Sequence, residues 1–273
     1  MVVKERVPTK IRQRLHQRRV TPMPKMAPVS EDGKRVSKER YWAEYYEHPD
    51  FVYEWNNGIL EVKPMAKINQ SNMYRWMLRL LESYLRVYPI ATLIMLEIGF
   101  EVPIGSGERV RIPDLGVVCN DNPIPAEPED HNYAGTFDLC IESLSDSNSR
   151  QITRDVDEKR LEYAQGGVRE YYILDDRRNR HMKFFYLTPN GSYQSIPPTS
   201  EGVIRSSVLP GFQFLVDDLY SQPSLTELVD DPIYEKFIWP EYRQEQERAD
   251  LAEQQANSYA EKLRELGIDP DSL

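Results

Sequence analysis

The chain has 273 residues, of which 40% are hydrophobic and 11% aromatic, so it can close one good-sized core. No apolar run approaches the roughly 20 residues that cross a bilayer, and the first residues lack the apolar stretch of a secretory signal. Cys119 and Cys140, the two cysteines, both lie in apolar strand patterns. These features argue against a membrane-spanning chain, a disulfide framework and a thiolate zinc site, and we expect a cytoplasmic protein.

The net charge of -10 is unevenly distributed. Residues 1–40 contain twelve basic and four acidic residues, whereas residues 217–273 contain five basic and fifteen acidic residues. We therefore expect a disordered basic arm over 1–35, a folded domain over 36–220 and an acidic helical tail over 221–273. The arm could bind nucleic acid phosphates, but a solubilising tail, or one that pairs with the acidic end, fits the composition as well.

Ordered structure is predicted to begin with a helix that Ser37 can cap and that ends before Pro49. Two short strands, 51–55 and 59–62, then flank an Asn-Asn-Gly sequence. This sequence predicts a tight hairpin because Asn and Gly tolerate positive φ values. Apolar residues at helical spacing predict a long amphipathic helix over 68–88, which provides one face of the core.

The pattern after this helix predicts a mixed α/β sheet. We expect three strands, over 92–103, 110–119 and 137–144, and then a helix over 152–165. Two further strands, over 170–174 and 182–187, and a long charged helix over 238–266 follow. Gly166-Gly167 is a plausible end for the helix at 152–165. The apolar stripe of the charged helix is thin, so the helix is either a solvated or docked tail or the contact of a homodimer.

Asp114 and Glu142 are the candidate catalytic carboxylates. Sequential strands are usually neighbours, so both side chains could project into one cleft and hold Mg²⁺, which activates water and stabilises charge on a phosphodiester. Alternatively, Asp114 is a turn residue after Pro113. Lys159 shares a helix face with Asp155 and Tyr163. It forms either an ordinary surface ion pair or a contact that orients water or stabilises phosphate charge.

Three runs of sequence carry a family resemblance: Arg111-Ile112-Pro113-Asp114-Leu115-Gly116-Val117-Val118, Asp138-Leu139-Cys140-Ile141-Glu142-Ser143-Leu144-Ser145, and a segment from Asp155 through Lys159 and Tyr163 to Asp175. In this order they resemble the Uma-type putative restriction endonuclease family of the PD-(D/E)XK nuclease superfamily. The hairpin at 53–60 is similar to the opening element of that family. The resemblance covers roughly residues 50–215.

The resemblance implies a restriction-endonuclease-like core, a mixed central sheet flanked by helices, to which an N-terminal hairpin and the C-terminal charged helix are added. It also implies that Asp114 and Glu142 hold the metal and that Glu54 is an auxiliary acid. The superfamily's usual lysine position is occupied here by Leu144, and the family moves the lysine to a place that corresponds to Lys159. The sequence departs from the family at 145–148, where a Ser-Pro-Ser type turn is replaced.

These observations lead to a hypothesis of a Mg²⁺-dependent endonuclease acting on DNA, with Mn²⁺ as a possible substitute. One alternative is a catalytically silent nucleic-acid-binding or protein-interaction module on the same fold. Another is a hydrolase of a small ligand that uses the same cleft.

Overall fold

The computed structural model describes residues 28–95, 97–105, 107–144, 149–178 and 180–265. The predictions for residues 1–27, 145–148 and 266–273 lie outside the described residues. These include most of the basic arm, the altered turn and the end of the tail. Within the described part, residues from Glu31 onward belong to one compact unit.

The strands, in chain order, are β1 (Tyr53–Asn56), β2 (Ile59–Val62), β3 (Ala91–Ile94), β4 (Phe100–Ile104), β5 (Gly107–Arg111), β6 (Leu115–Cys119), β7 (Leu139–Ser143), β8 (Glu170–Leu174), β9 (Lys183–Leu187), β10 (Tyr193–Ser195), β11 (Val203–Arg205) and β12 (Gln213–Leu215). The helices are α1 (Lys38–Arg40), α2 (Ile68–Val87), α3 (Ser149–Thr153), α4 (Lys159–Gly166), α5 (Asp218–Ser221) and α6 (Ile238–Glu265). A π-helical turn continues α1 over Tyr41–Tyr45, and another joins α3 to α4 over Arg154–Glu158.

The strands form a mixed six-stranded sheet and an antiparallel four-stranded sheet, as well as a small β11–β12 pair. The six-stranded sheet has the order β10-β9-β8-β7-β6-β3, and the four-stranded sheet has the order β2-β1-β5-β4. Strands β7 and β8 are parallel, and the helical segment from α3 to α4 connects them. The predicted mixed α/β architecture is therefore confirmed.

Alternation along the central strands gives the six-stranded sheet two apolar faces. Leu115, Val117 and Ile141 pack in the same cluster as the buried residues of α2. Val118 and Cys140 belong to a second cluster, which includes residues of α4 and β4. Successive side chains of a strand point to opposite faces, so Glu142 lies on the face of Cys140, towards α4. The sheet is thus covered by α2 on one face and by α4 with β4 on the other.

Several local predictions are confirmed. Asn57 and Gly58 form the hairpin turn with φ values of 47° and 90°. The Ser37 hydroxyl accepts a hydrogen bond from the Arg40 backbone at 3.3 Å, which caps α1. Helix α2 spans nearly the predicted residues, and α4 ends at Gly166, followed by Gly167 with a φ of 87°.

Two of the predicted strands are wrong as continuous elements. The segment predicted at 92–103 is divided into β3 and β4, and that at 110–119 into β5 and β6, and in each case the two halves join different sheets. Glu97 has a φ of 67°, which interrupts the first segment. Pro113 interrupts the second, since a proline cannot donate a ladder hydrogen bond.

Residues on both sides of the expected 36–220 domain contact it. The Gly33 backbone donates a hydrogen bond to Leu60 at 2.8 Å, so residues expected in the arm contact the hairpin. At the other end, Leu228, Tyr234 and Ile238 are buried in the cluster formed with α2. Beyond its start, α6 is exposed at Leu251 and at most of its other described side chains. None of the described helices is both long and apolar enough to cross a bilayer.

Gly116 leaves room for a core aromatic ring. A Cβ atom at this position would lie 2.5 Å from ring carbons of Phe137, which is fully buried. We expect Gly116→Ala to lower the free energy of unfolding by about 1–3 kcal/mol, because the ring and the strand must move apart. Denaturant unfolding would measure the loss. Gly105→Ala is the control, since its Cβ would meet no atom within 4 Å, and equal stabilities of both variants would contradict this account.

Candidate active site

Asp114, Glu142 and Lys159 all line one cavity of about 630 Å³. Its walls come from the segment before β1, the segment after β2, the start of α2, the β6–β7 edge and the helical segment that precedes α4. We call it the acidic cavity because its charged side chains are Asp50, Glu97, Asp114, Glu142 and Asp155 against Lys63, Arg154 and Lys159. Fully ionised, these groups leave an excess of two negative charges.

The strand register explains why the two candidate carboxylates lie together. Leu115 of β6 pairs with Ile141 of antiparallel β7, and continuing this register places Asp114 opposite Glu142. Directly opposed residues project to the same face of a sheet. Pro113 interrupts the strand just before Asp114, so this carboxylate lies at the end of the β6–β7 ladder.

Asp114 is held by two donors. Its Oδ2 accepts a hydrogen bond from the Ser143 backbone at 2.7 Å, which ties it to β7. Its Oδ1 accepts one from the ammonium of Lys63 at 2.8 Å. Each carboxylate oxygen can accept more than one bond, so both retain capacity for a further ligand.

Glu142 is held at only one of its two oxygens. Its Oε1 accepts hydrogen bonds from Lys159 at 2.8 Å and from the Tyr163 hydroxyl at 3.0 Å. Among the described residues none donates to Oε2. This oxygen is therefore available to a ligand in the acidic cavity.

Lys159 is surrounded by carboxylates. Its Nζ lies 2.8 Å from Glu142, 3.0 Å from Glu54 and 3.2 Å from Asp155, and its side chain is only 1% exposed. Asp155 comes one helical turn earlier, as the sequence spacing predicted. The exposed-surface interpretation of the Asp155–Lys159 pair is thus wrong, since both groups are buried and the pair is part of a network.

Glu54 lies behind Lys159, outside the residues that line the cavity. It is fully buried on β1, and its oxygens accept hydrogen bonds from the Ile112 backbone at 3.0 Å and from Arg111 at 3.1 Å. Arg111 also binds Glu162 of α4 at 2.7 Å. Glu54 therefore links the hairpin to Lys159, and its side chain supports the site from the interior.

The electrostatic environment shifts the pKa values of Glu142 and Glu54 in opposite directions. Burial raises the pKa of the Glu142 carboxyl to about 7, although the nearby ammonium of Lys159 acts in the opposite direction. Burial alone would also raise the pKa of Glu54, but Lys159 and Arg111 outweigh it and hold that pKa well below its usual range. Glu142 thus exchanges its proton near neutral pH, whereas Glu54 remains ionised.

The donor set fits a hard divalent cation that keeps part of its water shell. Mg²⁺ is commonly bound by one or two carboxylates together with waters and substrate phosphates, and Asp114 and Glu142 offer such oxygens. The described residues contain no group of three or more His, Cys, Asp or Glu side chains able to hold a metal ion. The buried Ser143 hydroxyl, on a residue that lines the cavity, has no hydrogen-bond partner among the described residues, which suits a hydrated ligand.

Three basic residues of the site were not identified from the sequence. Lys63 contacts Asp114 from a position 51 residues away, and no local spacing reveals this pairing. Arg154 lines the cavity, and its Nε lies 3.6 Å from Asp155. Arg111 was part of a recognised motif without an assigned role. Alternation along β5 places it on the same face as Arg109, so no local signal marked it as buried.

Comparison with known proteins gives a family and a fold. Residues 39–217 match the model of the Uma2 family, described as putative restriction endonuclease. A crystal structure of a putative nuclease belonging to DUF820, from Anabaena variabilis, is similar with a TM-score of 0.53 and 18% sequence identity. The match covers 68% of this chain and 98% of that one. No curated protein matches the sequence.

Glu142→Gln tests the raised pKa. Between the usual value of 4.5 and about 7 the folded chain keeps a proton that the unfolded chain releases, so wild-type stability falls as pH rises through this window. Glutamine cannot ionise and avoids this loss. We expect the free energy of unfolding of Glu142→Gln, relative to wild type, to increase by up to about 3 kcal/mol from pH ~5 to pH ~8.

Denaturant unfolding at several pH values would measure this change. Asp157→Asn, at an exposed position in the π-helical turn before α4, is the control and should show no pH-dependent difference. A constant difference between Glu142→Gln and wild type at every pH would show that Glu142 titrates normally.

Proposed function

The chain belongs to the Uma-type putative restriction endonuclease family, and we propose on this basis that it is a Mg²⁺-dependent endonuclease that hydrolyses phosphodiester bonds of DNA. The observation that carries the proposal is the meeting of Asp114 and Glu142 on one face of the acidic cavity, with Lys159 bonded to Glu142. The family match alone gives the coarser statement of a nuclease-like protein.

In the proposed mechanism, Asp114 and Glu142 would hold the cation through their carboxylate oxygens. The bound metal would lower the pKa of a water molecule and neutralise charge on the phosphodiester. Lys159 keeps Glu142 in place through the bond to Oε1 and leaves Oε2 directed to other ligands. Tyr163 adds a second donor to the same oxygen, so the carboxylate cannot rotate without losing both bonds.

The charge of the acidic cavity also supports a cation. Five carboxylates against three basic groups would repel a phosphodiester, and a divalent ion offsets the excess. A binding module that acts without metal would have to overcome this repulsion. We therefore favour the enzyme over the silent module, and over a small-ligand hydrolase because the matching family is described as putative restriction endonuclease.

Cleavage of supercoiled plasmid DNA in the presence of Mg²⁺ tests the proposal. Asp114→Asn and Glu142→Gln should each lower the cleavage rate by at least about 100-fold, because each removes a charged ligand while keeping the size of the side chain. Asp157→Asn, which removes an exposed carboxylate of the same chain, should cut at the wild-type rate. Undiminished cutting by both cavity variants would overturn the assignment.

Metal binding is testable without catalysis. A ligand that binds only the folded state raises its stability, so Mn²⁺ should raise the midpoint of thermal unfolding of the wild-type chain at pH ~8. The double variant Asp114→Asn/Glu142→Gln should show no such shift, whereas Asp157→Asn should behave like wild type. An equal Mn²⁺ shift in the double variant would place the metal elsewhere.

A further inference from the structure

We propose that Lys63 is a phosphate-contacting residue of the acidic cavity, through which a phosphodiester oxygen of the substrate is bound beside Asp114. This inference rests on the proposed function, which it extends by naming the group that recognises the substrate's phosphate. Lys63 belongs to none of the motifs that indicate the nuclease family.

The contacts of Lys63 leave one of its donors available. The ammonium donates hydrogen bonds to the Ile112 carbonyl at 2.5 Å and to Asp114 Oδ1 at 2.8 Å. An ammonium has three N–H groups, and the described part of the chain provides no partner for the third. Since Lys63 lines the acidic cavity and its side chain is 13% exposed, a ligand can reach this group.

The backbone fixes the position of this ammonium. Lys63 directly follows β2, and its backbone N–H donates to the Val52 carbonyl at 2.9 Å. The Lys63 ammonium bonds to the backbone carbonyl of Ile112 and to the carboxylate of Asp114, and these two residues flank the proline that separates β5 from β6. Contacts to the segments of both sheets thus fix the lysine in the wall of the acidic cavity.

Lys159 cannot make the same contact. Three carboxylate oxygens lie within 3.2 Å of its Nζ, and the side chain is 1% exposed. A phosphate oxygen would have to displace one of these carboxylates. Arg154 is also less accessible than Lys63, at 7% side-chain exposure, and lies close to Glu54 and Asp155. The two lysines therefore have separate tasks: Lys159 positions Glu142, and Lys63 contacts the substrate.

The charge of Lys63 has a specific use beside Asp114. A phosphodiester and a carboxylate repel each other at close range, and an ammonium between them replaces the repulsion with two attractions. An arginine could do the same with its planar fork, whereas methionine keeps the chain length and loses the charge. We therefore expect the affinity for DNA to be retained with arginine at position 63 and lowered with methionine.

The test measures binding of a fluorescein-labelled DNA duplex of about 20 base pairs by anisotropy. The full-length chain is used with Ca²⁺ in place of Mg²⁺, at about 150 mM KCl so that contacts through a basic arm are weakened. Lys63→Met should weaken binding by about 5–10-fold and reduce the salt dependence by about one counterion, as expected for one lost phosphate contact. Lys63→Arg should bind nearly as well as wild type.

Lys183→Met is the matched control, because Lys183 is an exposed lysine at the start of β9 and does not line the cavity. It should leave both the affinity and the salt dependence unchanged. A Lys63→Met variant that binds with wild-type affinity and salt dependence, or a wild-type chain that binds no duplex, would overturn the proposal.

A second pair of variants distinguishes a lost phosphate contact from a destabilised site. Removing Lys63 leaves Asp114 with an unpaired charge, which can destabilise the site by itself. In an Asp114→Asn background the carboxamide needs no ammonium, so in the same Ca²⁺ assay Lys63→Met should weaken duplex binding by the same factor relative to Asp114→Asn alone. Equal affinities with and without Lys63 in that background would overturn the proposal. The binding result is separate from cleavage: normal cutting by both Asp114→Asn and Glu142→Gln would overturn the proposed nuclease site and leave the affinities as measured.

Discussion

The buried ammonium of Lys159 is the interaction on which the candidate site depends. It joins three carboxylates from three parts of the chain: Glu54 of the hairpin sheet, Glu142 of the central sheet and Asp155 of the crossover helix. Removing one member of such a buried network costs about 3–5 kcal/mol, because it leaves an uncompensated charge. The two sheets and the crossover are thus held in register at the point where the cavity opens, and the ligand oxygen of Glu142 is oriented by the same contact.

The interruption of the strand at Pro113 is the second feature that positions the site. It allows one stretch of sequence to contribute β5 to the four-stranded sheet and β6 to the six-stranded sheet. Asp114 follows this break, and its carboxylate meets the Ser143 backbone of β7 and the Lys63 ammonium of the hairpin segment. A continuous strand would have kept the carboxylate within one sheet, away from one of these partners.

Local signals in the sequence were sufficient for the hairpin and for α2. The hairpin follows from Asn57-Gly58, whose positive φ values are a local property, and α2 from a long run of helical spacing. The division of the two predicted strands was missed, because the choice of sheet depends on partners distant in sequence. The same reason hid Lys63. A charged residue after a short strand is usually solvated, and only the folded chain brings Asp114 to it.

The two lysines each neutralise one of the candidate metal ligands. Lys63 bonds to Asp114 and Lys159 bonds to Glu142, so each candidate ligand has its own counterion. The pairs differ in burial, since the Lys159 side chain is 1% exposed and the Lys63 side chain, which lines the acidic cavity, is 13% exposed. The arrangement gives Glu142 a fixed orientation and Asp114 an exchangeable partner. A substrate that brings its own negative charge can therefore share Lys63 without disturbing the interior network that holds the sheets together.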